Sequence, residues 1–257
     1  MDHELIIETE GAIRILTLNR PERRNALSRT LREKLIEAFL DVRADPAIWV
    51  VVLAGAGDKA FCAGADLKEG PAASGRRDLG PMHAAAPLLF EVIADTGKPV
   101  IAAVNGAAIG GGLELMLASD ICIAAQGAKI GLTEAKVGMG AAYASVVLPR
   151  AIPSAIALEM MFTGRLIDAD EARHWGLVNK VVAAEEVLDE AMEMARTIAG
   201  NAPLSVQRMK EMARKSEGLP RAAALRLDVG PNPYLSEDRH EGARAFLEKR
   251  KPVWKGR

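Results

Sequence analysis

Residues 105–120, "NGAAIGGGLELMLASD", set Glu114 directly behind three glycines in otherwise apolar sequence. A carboxylate buried in such company is costly unless it is paired, hydrogen-bonded or protonated. Glu134, in "GLTEAKVG", has a similarly apolar, glycine-flanked setting. Two carboxylates of this kind can divide general-base and general-acid work. Two glycine-bearing turns, "FCAGADL" (61–67) and "AAIGGGLEL" (107–115), each follow a strand-like run. Glycines there let the backbone approach a ligand and leave amide N–H groups pointing outward. Two such amides converging on one point would form an oxyanion hole, strengthened by the positive end of the helix that "LELMLAS" opens. The same glycines would also permit tight helix packing, and Glu114 would also suit the start of a helix on dipole grounds alone. Spacing by itself leaves both readings open.

Other chemistries find no support. There is no GxSxG, and His3, His83, His174 and His240 are scattered, which argues against a serine hydrolase. "GAGDKA" (55–60) matches GxGxxA after a strand, but no long helix follows, so a dinucleotide fold is disfavoured. No GxxxxGK[ST] is present. Lys and Arg total 33 against 34 for Asp and Glu, a net charge of -1, so no bulk field draws the chain to nucleic acid or anionic membrane. Cys62 and Cys122 lie in apolar sequence without CxxC spacing, which suits a reducing, cytoplasmic setting and speaks against a disulfide framework or zinc. The N-terminus lacks the layout of a signal peptide. The longest apolar run, 99–113, is interrupted by Asn105 and four glycines and is too short to span a bilayer.

The elements that must position these residues can be read in outline. With 257 residues, 49% hydrophobic and 26% charged, the chain can bury a substantial core. Residues 5–20 read as a strand pair turning at Glu10 and Gly11, 28–45 as a helix capped by Ser28, and 48–57 as a buried strand. Residues 98–105 and "ICIAA" (121–125) are further strands. Alternation of this kind predicts an α/β fold with a parallel sheet carrying helices. The segment 70–81, rich in glycine and proline, reads as a mobile surface loop. From Ser154 onward helical patterns dominate. A shift near residue 200 predicts a mixed core over 1–199 and a helical appendage over 200–257.

Taken in order, "NRPERRNALS", "KAFCAGADL", "KPVIAAVNGAAIGGGLELMLASD", "GLTEAKVG", "TGRLIDADEARHWGLVNKVV" and "EKRKPVW" resemble the crotonase superfamily, and within it the enoyl-CoA hydratases, over essentially the whole chain. The resemblance implies a spiral of repeated ββα units followed by a C-terminal helical region that builds homotrimers, commonly paired into hexamers. It implies an acyl-CoA thioester substrate, no metal and no redox cofactor, and water addition across the 2,3 double bond of a trans-2-enoyl-CoA. Carried over by motif, the Ala65 and Gly111 amides would hold the thioester oxygen. Glu114 would act chiefly as base, and Glu134 would deliver the proton to the α-carbon. CoA would run along Arg24, Ala26 and Leu27 and along Ala63, Gly64, Asp66 and Leu67, with Gly110 also contacting the substrate. Arg24, or Lys249 and Lys255 from the tail, could meet its phosphates.

One segment departs from the family pattern. Well-known hydratases follow the second glutamate with "GxIPGAGGTQRLPR", whereas here "GMGAAYASVVLPR" lacks that proline and is about one residue shorter, which alters the loop that shapes the acyl pocket. The nearest rival activity is enoyl-CoA isomerisation, which needs one well-placed acid/base, and retention of both glutamates favours the hydratase. A rival of another class is a non-catalytic acyl-CoA-binding or RNA-binding protein on the same scaffold. Near-zero net charge and 4% aromatic content weigh against RNA.

Overall fold

The computed structural model describes residues 4–69 and 88–257, so the 70–81 loop lies outside the described residues. β1 (Leu5–Glu10) and β2 (Ile13–Leu18) form the expected antiparallel pair, with Gly11 at φ 57° in the turn. α1 (Arg29–Ala44) begins where Ser28 accepts the Leu31 amide, and it lays Leu31, Leu35, Phe39 and Val42 into the core. β3 (Val50–Gly55) and β4 (Ala60–Cys62) follow. α2 (Leu89–Ala94), β5 (Val100–Val104), β6 (Ala107–Ile109) and α3 (Gly111–Ala118) come next. β7 (Ile121–Ala125) and β8 (Lys129–Gly131) complete the third repeat of two strands. The remainder comprises α4 (Ala142–Ala151), α5 (Ser154–Thr163), β9 (Leu166–Asp168), α6 (Ala169–His174), β10 (Lys180–Val182), α7 (Val187–Ala199), α8 (Pro203–Lys215), α9 (Arg221–Ala224) and α10 (Glu237–Leu247).

Six strands pair in the order β1-β2-β3-β5-β7-β10, parallel from β2 onward, and four in the order β4-β6-β8-β9. Each of β3/β4, β5/β6 and β7/β8 therefore gives one strand to each sheet before the chain moves on, which is the spiral of ββα units. β3 and β5 are buried throughout apart from the end of β3, matching the continuous apolar runs of a sheet covered on both faces. Helices dominate after Ser154 as expected, with two short strands that the pattern did not reveal. β9 closes the small sheet antiparallel to β8, and β10 extends the large sheet beside β7. Three residues are too few for a period-2 pattern to show, and partners supplied by an existing sheet edge decide their state.

α7 packs on the large sheet. α8 is tied to the core by ions. Lys210 Nζ, almost wholly buried, reaches Asp120 at 2.7 Å and the Lys98 carbonyl at 2.8 Å, while Arg214 meets the other Asp120 oxygen at 2.9 Å. Asp120 also accepts the Val100 amide at the start of β5. This cluster joins the end of the α3 segment, the large sheet and the C-terminal helices.

Candidate active site

β4, β6 and β8 are neighbouring parallel strands, so the residues that leave their C-terminal ends emerge along one edge. Those residues are the 63–67 turn, the 110–112 turn and Glu134. Sheet order thus brings together groups well separated in sequence.

The first two turns touch. Gly64 lies at φ 88°, and a Cβ there would meet the Ile109 carbonyl oxygen at 2.8 Å and the Gly111 nitrogen at 3.3 Å. Only glycine allows this approach. Leu27 bridges to Ala65: its amide donates to the Gly64 carbonyl at 2.7 Å, and its carbonyl accepts the Asp66 amide at 3.3 Å. Successive amides of an extended segment face opposite edges, so this pairing turns the Ala65 N–H away from Leu27. Among the described residues neither the Ala65 amide nor the Gly111 amide, the first of α3, has an acceptor. Both are open donors, and the second carries the positive end of the helix.

Glu114 is buried in the first turn of α3. Its Oε1 accepts the Ala144 amide at 2.9 Å, with the Tyr143 amide close by. Helix α4 has no side-chain cap of its own at its N-terminus, so a carboxylate from α3 takes that place. Burial raises the Glu114 carboxyl above the ordinary range, the two amides pull it down, the Glu134 charge raises it and the Arg32 charge lowers it. Glu134 starts a short 3-10 turn (Glu134–Val137) just beyond β8. Its carboxylate lies over Gly110, where a Cβ would sit 2.5 Å from Oε1. Burial raises this carboxyl too, against bonds from its own amide and that of Thr133, and Oε2 is buried without a partner among the described residues. Burial thus biases both carboxyls toward the protonated form, and the Glu134 charge adds to that bias at Glu114.

The remaining positions named from sequence line the approach. Arg24 (φ 52°) and Asn25 (φ 54°) form a left-handed corner, held by Asn25 Nδ2 on the Ala56 and Ala60 carbonyls at 2.9 and 2.8 Å. Arg24 borders a cleft of about 250 Å³ shared with Pro21, Glu22, Gly57, Asp58 and Lys59. The Ala26 carbonyl accepts Arg20 Nη1 at 2.6 Å, and the Ala63 amide donates to the Arg24 carbonyl at 3.0 Å. The Asp66 carboxylate is taken by Arg20 at 2.8 Å, its amide by the Leu27 carbonyl and its carbonyl by the Glu69 amide at 3.2 Å, so Asp66 shapes the turn. Leu67 is exposed. Lys255 is occupied with Glu237 at 3.0 Å. Cys62 is fully buried with its thiol pushed up to about 12 by burial, which makes it a packing group.

Four contributing residues carried little or no distinctive sequence signal. Gly112 presses its α-carbon against the Cys62 backbone, which only the run of glycines hinted at. Arg32 resembles any surface charge on an amphipathic helix. Phe90 and Tyr143 pair with ring centroids 5.5 Å apart beside the residues that hold Glu114.

A spiral of ββα units with two open backbone amides at one edge of the small sheet defines the crotonase fold. Residues 8–257 match the profile of the family described as Enoyl-CoA hydratase/isomerase. The carnitinyl-CoA dehydratases of Salmonella agona and Citrobacter koseri are each 42% identical over 267 residues, covering all of both chains. Among solved structures, an enoyl-CoA hydratase from Mycobacterium tuberculosis superposes with a TM-score of 0.86 at 34% identity, covering 99% of each chain. One from Bacillus anthracis gives 0.86 at 36%, covering 99% of this chain and 100% of that one. The chain belongs to the enoyl-CoA hydratase/isomerase family of the crotonase superfamily, and it is an enzyme of that family's hydratase and dehydratase kind.

Proposed function

We propose that the protein interconverts a trans-2-enoyl-CoA and the corresponding 3-hydroxyacyl-CoA. The observation that carries this reading is two buried carboxyls that feel each other, Glu114 and Glu134, the latter with Oε2 lacking a partner among the described residues, beside two open amides. The thioester oxygen accepts from the Ala65 and Gly111 amides, which draws electron density from the 2,3 double bond. Water lies between the two carboxyls. Glu114 takes one proton as the oxygen adds to the β-carbon, and the electron pair moves onto the thioester oxygen as an enolate. Glu134 then gives a proton to the α-carbon, so that H and OH are added in total. Loss of one amide donor of this kind costs about 3 kcal/mol of barrier. The thioester itself is the electron sink, so the reaction as proposed calls for no metal or redox cofactor. CoA runs between the 24–27 corner and the 63–67 turn, its phosphates toward the cleft of Arg24 and Lys59.

The test is loss of the enoyl thioester absorbance when the protein meets crotonyl-CoA. Glu114→Gln and Glu134→Gln should each abolish it, and normal turnover in either variant sinks the mechanism. The names of the relatives support a second substrate, carnitinyl-CoA, whose dehydration is the same reaction run backward. A panel of acyl chains with carnitinyl-CoA included separates the two. Consumption of a 3-enoyl-CoA with no hydration would instead favour isomerisation.

The protein is further proposed to work in the cytoplasm as a homotrimer or a dimer of trimers, without nucleic acid. Both cysteines are free and buried, and no helix among the described residues is long and apolar enough to cross a membrane. Leu225, Leu235, Phe246 and Leu247 are each at least 74% exposed in the C-terminal helical region, apolar area that assembly would cover.

A further inference from the structure

Arg32 projects from the first turn of α1 toward the segment that carries Leu27. Its Nη2 donates to the Leu27 carbonyl at 3.1 Å, the same oxygen that accepts the Asp66 amide. Its Nε is buried without an acceptor, and no carboxylate pairs with it among the described residues. Its neighbours are matched: Arg29 pairs with Glu33 at 2.9 Å, and Arg20 with Asp66 at 2.8 Å and Glu4 at 3.1 Å. A partly buried guanidinium without a counter-charge is unfavourable in the resting protein. Such a charge becomes favourable when negative charge develops nearby during reaction.

The position suits that role. The 64–66 turn is attached to Leu27 by a single bridge, and one of its two bonds is long at 3.3 Å. Arg20 holds the turn from one side through Asp66, and Arg32 holds the facing Leu27 carbonyl. The Leu27 side chain reaches the other half of the site, its Cδ1 lying 3.0 Å from where a Cβ on Gly111 would be.

We propose that Arg32 is a positioning residue for the thioester-oxygen site: it fixes Leu27 against the turn that presents the Ala65 amide, and supplies an uncompensated positive charge where enolate charge develops. This rests on the acyl-CoA reading above. Around Glu114, the charged and polar groups are Glu134 beyond β8, the Tyr143 and Ala144 amides of α4, and Arg32 of α1. Arg32 is the cation in that set, and its charge favours ionised Glu114.

The experiment compares Arg32→Met and Arg32→Lys with the wild type. The readouts are kcat and KM on crotonyl-CoA, the acid limb of the kcat/KM pH profile, melting temperature, and the ultraviolet absorbance of enolate in bound acetoacetyl-CoA. Arg32→Met should lower kcat roughly 10- to 100-fold with a smaller change in KM. It should also reduce the bound enolate fraction and move the acid limb to higher pH, because Glu114 loses the cation that favours its ionised form. Arg32→Lys should restore the acid limb and the enolate only in part, having the charge without the planar donor. Wild-type kcat, enolate fraction and acid limb in Arg32→Met overturn the proposal, whatever happens to the melting temperature. Wild type that forms the enolate without hydrating crotonyl-CoA refutes the hydratase reading alone, with Arg32 still judged by the enolate. Wild type that forms no enolate refutes the oxygen site, and the proposal with it.

Discussion

Gly112→Ala pits helix propensity against packing, and the structure decides the sign. In the interior of a helix alanine gains up to about 1 kcal/mol over glycine. Here the new Cβ would overlap the Cys62 carbonyl oxygen and lie 3.0 Å from its carbon and 3.2 Å from its Cβ. Carbon pairs are most stable at about 3.5–4.0 Å and the overlapping oxygen must withdraw further than the carbons, so relief needs a displacement on the order of 1 Å. Cys62 ends β4, a strand paired to β6, and Gly112 is the second residue of a wholly buried helix, so neither side moves freely. Overpacking of this kind costs about 1–3 kcal/mol. The net expectation is a loss of roughly 1–2 kcal/mol, or a fall in melting temperature of about 2–8 °C. Activity should suffer more. The clash drives apart the two segments that present the Ala65 and Gly111 amides, and a 1 Å misplacement can cost about 100-fold in rate. Gly111→Ala is the structural control, since its closest contact is a side-chain methyl, Cδ1 of Leu27, at 3.0 Å, where Gly112 meets backbone. Thermal unfolding and crotonyl-CoA turnover of each variant provide the assay. A Gly112→Ala protein that melts at or above the wild-type temperature and keeps its kcat refutes the reasoning.

Glu134→Gln should inactivate the enzyme yet raise its melting temperature at pH 7–8. Burial raises the folded carboxyl above the ordinary glutamate range, so ionising it weakens the fold as pH climbs from that range through the folded pKa. The gain should shrink to nothing as pH falls to about 4, and a pH-independent difference contradicts this account. Asp120→Ala leaves the Lys210 ammonium buried without its carboxylate and should cost about 3–5 kcal/mol, lowering the melting temperature by roughly 10 °C. Limited proteolysis should then cut first around α8, and wild-type resistance there would show that the cluster does not dock it. Phe246→Glu should leave a smaller species by light scattering if α10 lies in a subunit interface, and an unchanged mass argues against that surface.

Much of the site was legible in the chain because its components are local. The glycines of 110–112 belong to a close approach and a helix start that no larger residue allows. Glu114 stands in an apolar run where an unneeded carboxylate would be a liability. The strands read as buried because their apolar residues are continuous, and α1 because its Ser28 cap and periodicity coincide. β9 and β10 were not legible, since their pairing comes from sheet edges built elsewhere in the chain. The departure of the loop after Glu134 from the family pattern was legible, but the contact made there was not: the Ala144 amide at the start of α4 holds Glu114, about thirty residues away.

The sequence by itself determined which groups could do chemistry: two acids in apolar settings, glycine turns with outward amides, and strands and helices in alternation. These follow from burial, propensity and backbone sterics within a few residues, which the order of amino acids specifies directly. Only the tertiary structure decided that Ala65, Gly111 and Glu134 share one edge, through the β4-β6-β8 order. It also decided that the Asp66 carboxylate belongs to Arg20 and that Arg32 remains unpaired among the described residues next to Leu27. Strand order, register and the pairing of charges depend on which distant segments pack together. That information is spread over the whole chain and concentrated in no motif.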